Sequence, residues 1–373
     1  MKRTATTGRK PLEGLDRTDL DILSALGRLG GKVSTEELAQ MPTISKSPRT
    51  IRYRLKRLRD EEYLGQLYAQ SHEIKLGLGD CILVMQEAPN SRGALSDALK
   101  SVPWFYYQGP SYGKYNGYLM HAMYSSDDPD AVRRIADELV SLNLVNDYHC
   151  FYVTDYESRR GDFRHFEYNK GWDWDSSRWI RESEDCIASG DVTDIKLDYS
   201  PKRIDFDAKD ILLIRELKAE SNRSLRELGQ IVMLSDTQVR RRITRLENEG
   251  ILKGYRWILK KVEKPLFIYF FMNVTRNTDS ILTSFYRMPF PSEIMMESKS
   301  SYLIRIRLYG TELIGLLRGI TFMRDYLDSH ILQIAHDTSE SPVVKVDTFF
   351  NEDTLSFQFP VDQIIENLRK KFG

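Results

Sequence analysis

Two stretches of this chain, offset by 188 to 190 residues, repeat one pattern, and that repeat constrains the fold more than any other feature. The first reads LDRTDLDILSALGRLGGKVSTEELAQMPTISKSPRTIRYRLKRLRDEEYL from Leu15. The second reads IDFDAKDILLIRELKAESNRSLRELGQIVMLSDTQVRRRITRLENEGILKGY from Ile204. Each opens with Asp-Ile-Leu (Asp21–Leu23; Asp210–Leu212) in an amphipathic segment. Each continues with Ser-x-x-Glu, Ser34 with Glu37 and Ser224 with Glu227, a capping box in which hydroxyl and carboxylate satisfy the orphan amides of a helix start. A third helix begins at Ser47-Pro48 in one copy and Ser235-Asp236 in the other. Proline suits the first helical position because the amide it lacks has no acceptor there. The third helix repeats its apolar residues at i, i+4 and i+7 (Ile51, Leu55, Leu58; Val239, Ile243, Leu246), which makes one buried stripe. Short helices joined by a tight turn to a basic third helix read as a helix-turn-helix. The residues after it (Tyr63–Tyr68; Ile251–Trp257) read as a small β wing.

After each unit the pattern becomes strand, helix, strand, strand, helix, strand. The first copy predicts strands at Cys81–Glu87, Trp104–Gln108, Tyr115–Tyr124 and Asp147–Thr154, with helices at Arg92–Ser101 and Pro129–Leu142. The second predicts strands at Leu266–Val274, Glu293–Ser298, Tyr302–Leu308 and Ile331–His336, with helices at Ser280–Tyr286 and Glu312–Tyr326. This is the ferredoxin-like β-α-β-β-α-β order. Its helix stripes (Val132, Ile135, Leu139; Leu313, Leu316, Ile320) cover one face of an antiparallel sheet and leave the other for a partner sheet. The Trp-rich GWDWDSSRW (Gly171–Trp179) aligns with the tail FFNEDTLSFQFPVDQII (Phe349–Ile365). Trp172 and Trp174 then correspond to Phe357 and Phe359, as strand residues packing on a sensor-type domain.

The balance of 54 Lys+Arg against 54 Asp+Glu argues against a nucleic-acid partner only if the charge is evenly spread. It is not. Ser45–Arg59 holds seven bases and no acid, Thr237–Leu246 four bases and no acid, and Asp155–Asp194 eleven acids against six bases. Both basic islands fall on the third helix of a repeat. Apolar runs such as Leu266–Met272 are too short to span a bilayer, and the basic MKRTATTGRK start lacks an apolar segment. Cys81, Cys150 and Cys186 form neither a disulfide framework nor a zinc pattern. A cytoplasmic protein without a membrane partner is expected.

LSDTQVRRRITRLENEGILKGY (Leu234–Tyr255) resembles the recognition helix and wing of the Lrp/AsnC family of transcriptional regulators, and RTIRYRLKRL (Arg49–Leu58) is a looser match. The chain thus resembles two family units fused in tandem. The fold class this implies is α+β: two winged helix-turn-helix domains alternating with two ferredoxin-like (βαββαβ) sensor-type domains, arranged as an intrachain pseudo-dimer. The divisions expected are an N-terminal tail (1–14), winged helix-turn-helix 1 (15–68), ferredoxin-like domain 1 (69–157) and an ordered extension (158–203). Winged helix-turn-helix 2 (204–258), ferredoxin-like domain 2 (259–340) and a C-terminal strand-helix extension (341–373) follow.

The resemblance implies a sequence-specific regulator of double-stranded DNA and not an enzyme, with a further homodimer as a second partner. Base readout falls to Arg49, Thr50, Arg52 and Tyr53 on one helix and to Thr237, Gln238, Arg241 and Arg242 on the other. Arginine pairs with guanine, glutamine with adenine, and threonine meets a thymine methyl. Lys46, Lys56, Arg57, Arg59, Arg240, Arg245 and Lys253 are the candidates for phosphate contact. Because the two helices differ, two unequal half-sites are expected. Effector-binding family members carry a Gly-x-Tyr-Asp-like element. GKYNGYLM (Gly113–Met120) and SKSSYLIRI (Ser298–Ile306) lack its aspartate, with Asn116 the candidate to replace it in the first copy, so a small-molecule effector is only a weak expectation of the resemblance. No cofactor or metal is expected: there is no Gly-rich phosphate loop or nucleophile elbow, and the six histidines fall singly. A competing reading on the same fold is a tetrapyrrole enzyme resembling sirohaem decarboxylases, for which His121 and His149 are the starting residues. The strongly basic third helices weigh against it.

Overall fold

The computed structural model describes residues 14–91, 93–167, 171–259, 266–336 and 347–373, in a mixed α+β architecture. The expected tail before residue 14 and the expected helix start at Arg92 lie outside the described residues. The first half runs α1 (Arg17–Leu29), α2 (Thr35–Ala39), α3 (Pro48–Asp60) and β1 (Leu64–Ser71). It continues through β2 (Leu78–Glu87), α4 (Ala94–Lys100), β3 (Phe105–Gly113), β4 (Gly117–Ser125), α5 (Ala131–Ser141), β5 (Val145–Val153) and β6 (Asp155–Arg159). A hairpin of β7 (Phe166–Glu167) and β8 (Gly171–Trp172) leads into α6 (Ser176–Ser189). The second half repeats the order with α7 (Ala208–Ala219), α8 (Leu225–Val232), α9 (Asp236–Asn248) and β9 (Leu252–Leu259). Next come β10 (Leu266–Asn273), α10 (Thr278–Tyr286), β11 (Ser292–Met296), β12 (Ser301–Leu308), α11 (Gly310–Met323) and β13 (Ser329–His336). The chain closes with β14 (Phe350–Asn351), β15 (Ser356–Phe357) and α12 (Val361–Phe372).

Both expected capping boxes form: the Ser34 hydroxyl accepts the Glu37 amide at 3.1 Å, and the Ser224 hydroxyl the Glu227 amide at 3.2 Å. The stripes of α3 and α9 are buried at Ile51, Leu58, Val239, Ile243 and Leu246, as their helical spacing requires. The wings depart from expectation. β1 and β9 do not fold back on their own units but pair antiparallel with each other, from Leu64 opposite Leu259 to Ser71 opposite Leu252. A lone strand leaves a row of amides and carbonyls unpaired, and the equivalent strand of the other half supplies the match. The register is close to two-fold and welds the two three-helix units together.

The main sheet has nine strands in the order β5-β2-β4-β3-β13-β10-β12-β11-β6. Each half contributes its strands fourth, first, third, second. The halves meet where β3 pairs with β13 (Gly113 opposite Gln333) and where β11 pairs with β6 (Met296 opposite Asp155). The outermost strands β5 and β6 are consecutive, separated by Thr154 alone, so the sheet wraps round and its inner faces look at one another. Ile82, Leu119, Phe151, Phe271 and Leu303 fill part of that interior. The partner sheet expected for the uncovered face is the other half of the same chain.

The halves also exchange elements. The Ser221 amide donates to the Leu67 carbonyl and the Gly31 amide to Tyr255. Residues of α7 and α9 share a core with the first sheet half, and those of α1 and α3 share one with the second. The Trp-rich segment follows the same crossing. Trp172 sits in β8 opposite Phe166, and Trp172 and Trp174 pack edge-on to Phe290 with ring centroids 5.8 and 5.0 Å apart. Trp179 of α6 donates its indole N–H to the Ser284 carbonyl. Two glycines one turn apart on α11 make room: a Cβ at Gly315 would lie 2.9 Å from Trp174, and one at Gly319 2.4 Å from Trp179. Gly319→Ala is expected to destabilise the chain by about 2 kcal/mol through overpacking. A thermal midpoint unchanged from the parent would count against this packing.

Candidate nucleic-acid interface and an internal cavity

α3 and α9 carry the basic islands, but their bases divide into two groups. Alignment of the copies sets Arg54 against Arg242 and Arg57 against Arg245, and all four turn inward. Arg54 bonds Asp16 at 2.7 Å and Asp19 at 2.8 Å, and Arg57 bonds Asp19. Arg242 bonds Asp207 at 2.8 Å and Asp210 at 2.9 Å, and Arg245 bonds Asp210 at 2.5 Å. The aspartates are themselves reciprocal capping boxes at the starts of α1 and α7. Each unit therefore clamps the N-terminus of its first helix to the middle of its third, where the helix dipole also favours carboxylates. Burial raises Asp207, but the bonds from Arg242 and from the helix amides more than offset it, leaving its carboxyl below the ordinary range.

This corrects four expectations. Arg242, placed in base readout by sequence, and Arg57 and Arg245, placed on phosphates, are held by carboxylates of their own unit. Lys253 does not face outward either: its ammonium bonds Asp155 and, at 2.5 Å, the Tyr156 carbonyl, tying β9 to β6. The other candidates are on the surface. Lys46, Arg49, Arg52, Tyr53, Lys56, Arg59, Thr237, Gln238, Arg240 and Arg241 are exposed and Thr50 is half-buried. Among the described residues Lys46, Arg49, Lys56, Arg240 and Arg241 make no hydrogen bond or ion pair. Arg52 rests on Glu36 at 2.8 Å, Arg59 lies 5.8 Å over the Trp257 ring, and Thr50 and Gln238 bond their N-cap serines.

The second feature was not anticipated. Inside the wrapped sheet, beneath the β1·β9 ribbon, lies a cavity of about 550 Å³ lined from both halves. Its polar groups form two clusters. A bulge between Phe105 and Tyr107 in β3 sets consecutive tyrosines, Tyr106 and Tyr107, against His121, with centroids 5.7 and 5.3 Å away. An extra residue in one strand is what allows two neighbours to share a face. Tyr106 donates to Asp80 at 2.9 Å, and His121 contacts Tyr106 at 3.4 Å and Tyr269 at 3.2 Å. The second cluster holds Glu293 and Arg305, 2.5 Å apart, with Arg307 and Arg160. Burial alone would raise Glu293; Arg305, aided by Arg307 and His121, brings it below its usual range.

Of the two histidines singled out by sequence, His121 lines this cavity. His149 does not; it stands edge-on to Phe271 with centroids 5.2 Å apart. Sequence reasoning missed His72, Arg160, Glu293, Arg305 and Arg307. The Arg-Ile-Arg alternation of β12 was the available signal, since it places both guanidiniums on one face. Gly113–Met120, the first effector-like stretch, is occupied from within: Gln333 accepts the Tyr115 amide at 3.1 Å and donates to the Tyr115 carbonyl at 2.7 Å. Among the described residues no group of three His, Cys, Asp or Glu could hold a metal ion, and no helix is long and apolar enough to cross a membrane.

Residues 206–247 match the AsnC-type helix-turn-helix domain. Among solved structures the chain is similar to the siroheme decarboxylase NirDL at 11% identity and TM-score 0.56, covering 95% of this chain and 98% of that one. It is also similar to NirDL in co-complex with an iron-uroporphyrin III analogue, at 12% identity and TM-score 0.51, covering 95% and 97%. AsnC of E. coli aligns at 16% identity and TM-score 0.29 over 38% of this chain and 93% of its own. No curated protein sequence matches. The NirDL likeness extends over both halves and bears on fold alone.

Proposed function

Starting from the AsnC-type helix-turn-helix that the chain carries, we propose that the protein is a double-stranded DNA-binding transcriptional regulator of Lrp/AsnC type, reading two unequal half-sites. In this reading residues 15–68 and 204–258 are helix-turn-helix domains whose wing strands pair with each other. Residues 69–157 and 259–340 are ferredoxin-like domains, and the whole is an intrachain pseudo-dimer able to pair again as a homodimer. The carrying observation is the outward face of α9, where Thr237, Arg240 and Arg241 stand exposed inside the matched domain. On α3 the corresponding group is Arg49, Thr50, Arg52 and Tyr53, with Lys46, Lys56 and Arg59 beside it for phosphates. The aligned pairs Arg49/Thr237, Thr50/Gln238 and Tyr53/Arg241 all differ, which supports unequal half-sites.

Selection of bound DNA from a random pool at two salt concentrations tests the reading. With six exposed bases on the two helices and Lys46 just before α3, affinity is expected to fall roughly 10³-fold between about 50 and 200 mM salt. The selected site should contain two dissimilar halves. Arg241→Ala should weaken protection of one half in a footprint and spare the other; equal loss at both would remove the assignment. A second reading, a tetrapyrrole enzyme, is favoured by the cavity with its histidine and arginines on a fold shared with NirDL. A Soret shift on titration with iron-uroporphyrin, together with no DNA retention at low salt, would replace the regulator reading with this one.

A further inference from the structure

We propose that the cavity inside the wrapped sheet is a binding site for a compact hydroxylated aromatic carboxylate. The argument begins with Arg307. Among the described residues its guanidinium makes no hydrogen bond or ion pair and is set only over the Phe267 ring, 5.1 Å from the centroid. The nearby carboxylate, Glu293, is engaged by Arg305 at 2.5 Å. Burial pushes Arg307 down from its ordinary value, and Arg160 and Arg305 push the same way, against a smaller upward pull from Glu293. An unpaired guanidinium inside a protein is costly, and its planar fork matches a carboxylate through two parallel bonds. The cationic end of the cavity is thus built for an anion that the chain does not supply.

The other polar cluster supplies the ligand's second anchor. Arg305 and Arg307 are two residues apart on β12, about 7 Å along the strand. Phe267 lies opposite Arg307 and Tyr269 opposite Arg305, and Tyr269 reaches His121 at 3.2 Å. A benzene ring bearing a carboxylate for the Arg307 guanidinium and a hydroxyl for the Tyr269–His121 pair matches the two kinds of group. Phe267 and Tyr156 also line the cavity, flat rings that favour a planar body. The volume of about 550 Å³ falls within the range of small-molecule sites. Overhead, Arg160 bonds the Tyr68 hydroxyl of β1 at 3.0 Å, so the ribbon forms the roof. His121 belongs to the first half and Arg307 and Tyr269 to the second, which is why neither copy alone displays the site.

Calorimetric titration of the full chain with 4-hydroxybenzoate tests the proposal, and contains no nucleic acid, so its outcome is independent of the DNA reading. One molecule is expected to bind per chain. 4-Hydroxybenzyl alcohol, the neutral analogue, should bind at least about 10-fold more weakly. Arg307→Met should lose about 30-fold in affinity for 4-hydroxybenzoate, as removal of a charge-assisted pair predicts. Because the Arg307 side chain makes no hydrogen bond or ion pair among the described residues, and methionine can still cover the Phe267 ring, that variant should keep the parent near-ultraviolet circular dichroism, which separates loss of the site from loss of the fold. Arg307→Lys should recover part of the affinity. Absence of binding overturns the proposal, as does binding that Arg307→Met leaves unchanged. Binding of iron-uroporphyrin with no response to 4-hydroxybenzoate also overturns it.

Discussion

Asp210→Ala is expected to destabilise the second three-helix unit by about 3 kcal/mol, while Arg241→Ala, on the helix it steadies, changes stability by about 0.5 kcal/mol or less. The Asp210 side chain is 1% exposed and accepts from Arg242 and Arg245, and it also takes the Asp207 amide at 3.1 Å. Its removal leaves two cations without their buried partner and breaks a capping box. Stranding a buried charge costs about 3–5 kcal/mol and losing a cap about 1 kcal/mol. Since the arginines are 24% and 40% exposed, water screens part of the first figure. A chain with two linked halves need not unfold in one step, so the measurement is hydrogen exchange of the α7, α8 and α9 amides. Equal protection in the two variants would defeat the clamp. The pH dependence follows from Asp207, whose folded value is depressed below 3.8. Its contribution is present above that unfolded value and is lost as pH falls from 3.8 through the lower folded one. These amides should lose protection in acid over that window.

The second large effect is expected at the seam between the halves. Gly113 has φ +151°, and a Cβ there would lie 2.2 Å from the Leu332 carbonyl and 2.2 Å from Gln333 Oε1. Neither can retreat, because the Leu332 carbonyl belongs to the β13 backbone and the Gln333 side-chain amide is fully buried and bonded to the backbone N–H and C=O of Tyr115. Gly113→Val should therefore cost about 3 kcal/mol or more. Gln333→Leu keeps the backbone but leaves the Tyr115 amide and carbonyl unpaired, at about 1–3 kcal/mol each before relaxation. Both variants should shift the denaturation midpoint downward and raise binding of an apolar dye, since the seam closes the interior. A normal midpoint in Gly113→Val would mean that β3 and β13 do not meet in solution.

Much of the architecture was legible because the repeat states it twice. Helical spacing located α3 and α9, and alternation located most strands within a few residues. What misled was counting bases without asking which recur. Arg54/Arg242 and Arg57/Arg245 are the same residue in both copies, and the caps of α1 and α7 repeat Asp16/Asp207 and Asp19/Asp210, an equivalence that pairing Asp21 with Asp210 in sequence hid. Asp-x-x-Asp before one helix and Arg-x-x-Arg on another is the written form of the clamp. Periodicity registers side chains on one element and is blind to their partner on the next. The wings failed for a related reason: a strand pattern reports that Leu64–Ser71 seeks a neighbour and not which neighbour it finds. The cavity was less visible still, because its two polar ends lie on β12 and β4, 184 residues apart at Arg305 and His121, and only the wrapping of the sheet joins them.

The pairing of β1 with β9 has a quantitative consequence. Two separate polypeptides that meet through such a ribbon come apart on dilution, and the concentration of assembled pairs rises with the square of total concentration at low abundance. Here both strands belong to one molecule, so closure is first order and its extent does not depend on how many copies are present. A response built on this pair should scale linearly with the number of chains down to the lowest abundance. Each arm is also encoded separately, so a substitution in one alters a single side of the pair.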